Sequence, residues 1–358
     1  MLCISLTADY ELFFGENFQN ENEILINPTY TLLHIAKNNR IPVTLMADIL
    51  SVWKYREYGL ENYAQEVENQ LKYAIKNGHD VQMHIHPHWI NSKFQKGQWE
   101  FDSKIYKIQD LGFNTNNTLS ANKLISKSKR YLEELLKTEN NQYKCVGFRA
   151  GGWCLQPEIE LIKALKATGI NIDTTIYKYG YMKNKTHYFD YRNVPNSLNW
   201  YIDPVMGINN EANRTEDTIY EVSIGSLYKR PYIYYLKILN KVLKLNRKNI
   251  ARGIPIDYNL NTKVYKKIYN KINKFFIAPV MFSLDELHGN VLLKIVKWYL
   301  KKYDCINKDY HISLICHPKC LHYDNFNDLD CFLKTINNNY KNLVSFETIQ
   351  DKIGRAHV

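Results

Sequence analysis

Hydrophobic and polar positions along this 358-residue chain follow two alternating rhythms. Residues 2–8 (LCISLTA) are a short apolar run with a β-branched centre and read as a buried strand. A helix follows, opened by Pro28, with Leu32, Leu33, Ile35 and Ala36 on its apolar face. Residues 41–47 (IPVTLMA) predict a second buried strand. Over 60–77, Tyr63, Val67, Leu71, Ala74 and Ile75 recur at helical spacing, and Asn77-Gly78 stops that helix. The stretch GHDVQMHIHPHW (78–89) returns to period two. Val81, Met83 and Ile85 are apolar, Asp80, Gln82, His84 and His86 are polar, and Pro87 ends the ladder because it has no N–H to donate. Strand, helix, strand, helix, strand is an α/β pattern, with crossovers long enough for parallel strands.

Residues 90–117 show no clear period and read as loop. Ser120 caps a helix over 120–137, with Leu124, Ile125, Tyr131, Leu132, Leu135 and Leu136 facing inward. A strand over 144–148, a helix over 157–167 and a strand over 170–176 follow. From about 177 to 280 the pattern loosens and Tyr, Asn and Lys dominate. Within it, 232–245 predicts a basic amphipathic helix, read as a surface helix, with contact to an anionic membrane face or glycan as the functional alternative. Regular pattern resumes at 275–282, in a helix over 292–303, a strand over 311–316 and a last helix over 326–340. There is no internal repeat.

The chemistry-bearing residues fall at the ends of these strands. The first delivers Asp9 and Glu11, two carboxylates at i and i+2 that share one face of an extended chain. The histidine strand gathers His84, His86 and His88, and imidazole is a common metal ligand. The 144–148 strand delivers Arg149 and then Ala150-Gly151-Gly152-Trp153, a turn where backbone can approach a ligand closely. Asp173 rides on the 170–176 strand, and His317 follows the 311–316 strand.

Composition changes little. The length suits one large barrel or two modest domains. The net charge of +11 comes with many Lys, Asn, Ile and Tyr residues, a bias an AT-rich genome produces unaided, so it is weak evidence for any partner. No motif supports nucleic-acid binding. Seven scattered cysteines give no disulfide framework and suggest reduced thiols in a cytoplasmic setting. No signal peptide and no bilayer-spanning stretch are expected. Residues 353–358 (IGRAHV) read as an adapter-derived tail, so 1–352 is taken as one domain, with a basic elaboration at about 177–280.

With those residues in place, the chain resembles the polysaccharide deacetylases, the NodB-homology or carbohydrate esterase family 4 group. SLTADYE, GHDVQMHIHPH, GFRAGGW, NIDTT and LICHPK resemble that family's five motifs in order, across most of residues 4–318. The resemblance implies an irregular (β/α) barrel of the deacetylase type. It implies one divalent metal, zinc first, with cobalt, nickel or manganese as alternatives. Glu11, His84 and His88 would be ligands, Asp9 the base, Arg149 its holder, His317 the acid and Asp173 that acid's support. The roles of Asp9 and Glu11 could be exchanged. His86, Gly151 and Trp153 would line the substrate, although core packing is an equal contender for Trp153.

The implied reaction removes an acetyl group from an acetylated sugar or glycan, lipid-linked or free, with peripheral contact at the inner membrane face left open. Two departures mark a divergent branch, one suited to surface-polysaccharide assembly. Tyr10 stands where the family has a second aspartate, and Ala150-Gly151-Gly152-Trp153 replaces the usual proline and aromatic. Three alternatives stand beside this reading: an impaired glycan-binding member of the fold, a glycoside hydrolase using Asp9 with a partner acid, and a structural zinc site from Cys305, Cys316, Cys320 and Cys331.

Overall fold

The computed structural model describes residues 1–17, 19–102, 104–114, 116–227, 253–255 and 279–351. The basic helix expected over 232–245 and the tail at 353–358 lie outside the described residues.

Ten strands form the main sheet among the described residues. They are β1 (Leu2–Tyr10), β2 (Val43–Asp48), β3 (Asp80–Ile85), β4 (Gly147–Ala150), β5 (Ile172–Asp173), β6 (Asn199–Asp203), β7 (Gly207–Ala212), β8 (Ile219–Val222), β9 (Tyr310–Cys316) and β10 (Val344–Phe346). The order is β7-β6-β8-β5-β4-β3-β2-β1-β9, with β10 also against β1. All pairs from β8 through β5, β4, β3, β2 and β1 to β9 are parallel; only β6 and β7 run antiparallel to their neighbours. The sheet curls until the chain leaving β8 meets β9. There Ile224 bridges Ser313, the Gly225 N–H donates to Ser313 O at 3.0 Å, and the Ser313 N–H donates to Ser223 O at 2.9 Å. The expected irregular (β/α) barrel is the architecture the chain adopts.

The helices pack outside it: α1 (Asn27–Asn38), α2 (Ile49–Glu57), α3 (Glu61–Lys76), α4 (Ala121–Leu136), α5 (Ile159–Ala167), α6 (Gly289–Lys302) and α7 (Tyr323–Asn339). Pro28 sits in the first turn of α1, where its missing N–H costs nothing. Among the described residues, no helix is long and apolar enough to cross a membrane.

All nine residues of β1 are buried, yet they divide by parity. Leu2, Ile4, Leu6, Ala8 and Tyr10 join the main apolar core with the helices. Each such aliphatic burial contributes roughly 1.5–3 kcal/mol. Cys3, Ser5, Thr7 and Asp9 are on the opposite face, toward the barrel lumen. Their register partners on β9 include His311 and Ser313. The lumen is therefore a polar column rather than a greasy one: Thr174 Oγ1 meets Ser313 Oγ at 2.7 Å, and Arg149 reaches Thr7 and Thr174.

Several elements escape the sequence pattern. α2 has no expected counterpart, because Ser51 and Lys54 are buried along with Ile49, Leu50, Val52 and Tyr55, and no apolar stripe stands out. β6, β7 and β8 arise in the loosened stretch after 177, so the part expected as an elaboration supplies a barrel strand. β5 is only two residues long, and β10 is a three-residue strand that the pattern does not reveal.

Candidate metal centre

Asp9, Asp48, His84, Arg149 and His317 all lie at or just past the C-terminal ends of parallel strands, the end where barrel enzymes carry their chemistry. Asp9 and Glu11 share the lumen face as their spacing predicts. Tyr10 points the other way and donates its hydroxyl to Gln70 Oε1 at 2.8 Å on α3. A second acid at position 10 would face the helices. The D-x-E spacing keeps both carboxylates inside.

Glu11, His84 and His86 form a cluster whose ligand atoms lie within 4.8 Å of one another. His84 Nδ1 is 2.8 Å from Arg149 O, so it carries the proton and presents Nε2 to Glu11 Oε2 at 3.2 Å and to His86 Nε2 at 2.9 Å. His86 Nε2 also contacts Glu11 Oε2. The other carboxylate oxygen, Oε1, accepts from Lys319 Nζ at 2.8 Å, and the same ammonium donates to Leu12 O at 2.7 Å. Burial raises the Glu11 pKa, but Lys319 and the two imidazoles overcome it and hold the carboxyl well below the usual range. Burial takes His86 down to about 4, against the pull of Glu11. An ionised carboxylate and a neutral imidazole are the forms a cation binds. Two imidazoles and one carboxylate, one ring fixed through its second nitrogen, fit a zinc-type hydrolytic ion with open positions.

His88 is not in this cluster, which corrects the expected pairing of His84 with His88. His84 and His86 share a face because the chain is still extended at His86. Pro87 then starts a 3₁₀ turn over Pro87–Trp89 that breaks the period. The His88 ring lies against Phe14 at 4.0 Å and stacks on Tyr106 at 5.7 Å. His86, expected among the substrate contacts, stands where His88 was expected.

Beside the cluster is an acid–base pair. Arg149 is fully buried. Its Nη1 binds Asp9 Oδ1, its Nε donates to Thr174 O at 2.8 Å and its Nη2 to Thr7 Oγ1 at 2.9 Å. Burial raises the Asp9 pKa, but Arg149, His84 and His317 outweigh it, and the net shift is downward. Asp9 Oδ2 faces His317 Nε2 at 3.5 Å, and that nitrogen is 3.9 Å from Glu11 Oε1.

The partner of His317 is Asp285, not Asp173. Asp285 accepts the His317 backbone N–H at 2.8 Å through Oδ1 and its Nδ1–H at 2.6 Å through Oδ2. Burial opposes a charge on His317, yet Asp285 and Asp9 raise its pKa to about 9. Asp173 instead accepts from the Thr175 N–H at 3.0 Å and hydroxyl at 2.8 Å, and Thr175 Oγ1 in turn accepts the Ala150 N–H at 2.9 Å. Asp173 also lies in register with Glu221 on β8; burial raises both pKa values, and the Asp173 carboxylate lifts Glu221 further, while the hydrogen bond between them partly offsets the rise at Asp173. Asp173 thus braces the end of β4. Asp285 reaches His317 because the 283–284 segment docks on β9, where Ser283 bridges Ile315 and the Leu284 N–H donates to Ile315 O at 2.9 Å.

Gly151 is a packing requirement: a Cβ there would fall 2.5 Å from Ile85 O and 2.8 Å from His86 Nδ1. Trp153 is half-buried, its ring edge-on to His317 at 6.0 Å and to Tyr177 at 5.7 Å. Sequence reasoning missed Lys319, Asp285 and Asp48. Asp48 takes the Trp89 indole N–H at 2.8 Å, and burial pushes its carboxyl up to about 7. Asp48 and Asp285 each follow a short apolar run, the same signal that marks Asp9. Among the described residues, Cys305, Cys316, Cys320 and Cys331 belong to no metal-ligand group.

No family model matches the chain. No curated protein matches it either. Among solved structures, it is similar to a protein assigned as a polysaccharide deacetylase from Mycobacterium smegmatis (10% identity, 99% of this chain and 89% of that one, TM-score 0.43). A second, assigned likewise, is from Pseudomonas aeruginosa PAO1 (10%, 99% and 91%, 0.46). A third is Puue allantoinase (10%, 99% and 90%, 0.45). Nothing about chemistry follows from likeness at this level; the site's own donors decide it.

Proposed function

We propose that this chain is a metal-dependent hydrolase that removes an acetyl group from the nitrogen or oxygen of a sugar or glycan precursor. One observation carries the reading: Asp9 Oδ2 faces His317 Nε2 at 3.5 Å beside a three-donor cation cluster. The five ordered motifs supply the substrate class.

Glu11, His84 and His86 would hold the cation. When bound, it supplies Lewis acidity to the acyl carbonyl and lowers the pKa of a coordinated water. Asp9 takes the attacking water's proton on Oδ2, because Oδ1 is tied to Arg149. As the acyl C–N or C–O bond breaks, the His317 Nε2–H passes its proton to the leaving atom, and acetate departs. Asp285 keeps His317 charged for that step. Trp153, half-buried and edge-on to His317, gives the sugar an aromatic wall.

The test is acetate release from N- and O-acetylated sugars by zinc-loaded protein. Asp9→Asn is expected to keep the metal and lose about 10²–10⁴-fold in turnover. An Asp9→Asn variant with wild-type turnover excludes the base. A metal-loaded wild type that binds acetylated glycans without releasing acetate establishes the glycan-binding alternative.

A further inference from the structure

At the other end of the lumen, Cys3, Asp309 and His311 bring three more ligand atoms within 4.8 Å of one another. We propose that they form a second metal site for a thiophilic divalent cation such as zinc. The site is independent of the catalytic reading. Cys3 lies six residues before Asp9 on one strand, which separates the two centres by about 20 Å.

The placement follows from register. Cys3 and His311 are direct partners on β1 and β9, both on the lumen face, and both are buried. Asp309 is exposed and gives the cation its route in. His311 is held as a ligating imidazole is held. The Tyr220 hydroxyl is 3.0 Å from its Nδ1, and its backbone N–H donates to Asn199 Oδ1 at 2.9 Å, so a cation would be met by Nε2.

Thiolate, imidazole and carboxylate are a zinc or cobalt set, unlike the sulfur-free cluster at the far end. On binding, the Cys3 thiol gives up its proton to solvent and the ion joins the first strand of the chain to β9.

The experiment is a Co²⁺ titration of the metal-free full chain. Thiolate-to-cobalt charge transfer in the near ultraviolet separates this site from the sulfur-free centre, and the Cys3 variant assigns the band. The band is expected in wild type, lost in Cys3→Ser and in His311→Ala, and retained in the His84→Ala/His86→Ala double variant. Asp309→Asn, a surface change that spares the fold, is expected to weaken the Co²⁺ affinity read from this band at least tenfold. No band in wild type, a band that survives in Cys3→Ser or His311→Ala, or unchanged affinity in Asp309→Asn overturns the proposal. Loss of the band in the double variant also overturns it, since the site would then not be separate. Failure of acetate release leaves this test untouched.

Discussion

Two histidines at one site have opposite tasks, and their neighbours set them apart. Asp285 grips the backbone and ring of His317 together, and the imidazole stays charged up to about pH 9. Its folded pKa is raised, so its stabilising contribution is complete below the ordinary imidazole range and is lost as pH rises through about 9. The same protonation sets catalysis: kcat/KM should fall on the alkaline side as His317 deprotonates. Asp285→Asn should move that limb down toward the ordinary imidazole range, read from a pH–rate profile; an unmoved limb removes Asp285 from the acid's support. His86, by contrast, is neutral and available as a ligand. In a Cys3→Ser background, His86→Ala should strip zinc from this centre and His88→Ala should keep it, by elemental analysis. Zinc lost only in His88→Ala would restore the spacing first expected.

The elements matter through the turns that end them. β3 runs extended through Ile85, and the extended conformation continues at His86, so two imidazoles stay on one face; the 3₁₀ turn after Pro87 removes the third. The turn after β4 must come close enough for the His86 ring to lie on bare backbone at Gly151. Gly151→Ala should therefore cut zinc affinity at least tenfold while far-ultraviolet circular dichroism stays unchanged, because the added methyl meets an imidazole and a carbonyl at 2.8 and 2.5 Å. Wild-type affinity in that variant would show that the ring yields freely.

For the whole molecule, the lumen's polar column is a cost balanced by mutual satisfaction. Arg149 joins β1 to β4 and to the end of β5 through Asp9, Thr7 and Thr174. Arg149→Met leaves Asp9 buried beside no guanidinium and should cost about 3–5 kcal/mol in urea unfolding at neutral pH. Asp9 is depressed in the native protein, so its contribution holds above the ordinary carboxylate range and is lost as pH falls through its folded pKa. The deficit of Arg149→Met should accordingly shrink toward acid, and a deficit independent of pH would assign the loss to packing alone.

The sequence by itself determined which residues end the buried strands: Asp9, His84, Arg149 and His317 are legible because strand alternation and strand-ending residues are local properties of a few neighbouring positions. It also determined that Asp9 and Glu11 face one way, since an i, i+2 pair needs only an extended chain. Only the tertiary structure decided that His86 and not His88 meets Glu11, that Asp285 and not Asp173 holds His317, and that Lys319 neutralises half of Glu11. Those choices depend on how a turn rotates after Pro87, and on which of several strand-end acids, tens to hundreds of residues apart, a curled sheet brings to the same imidazole.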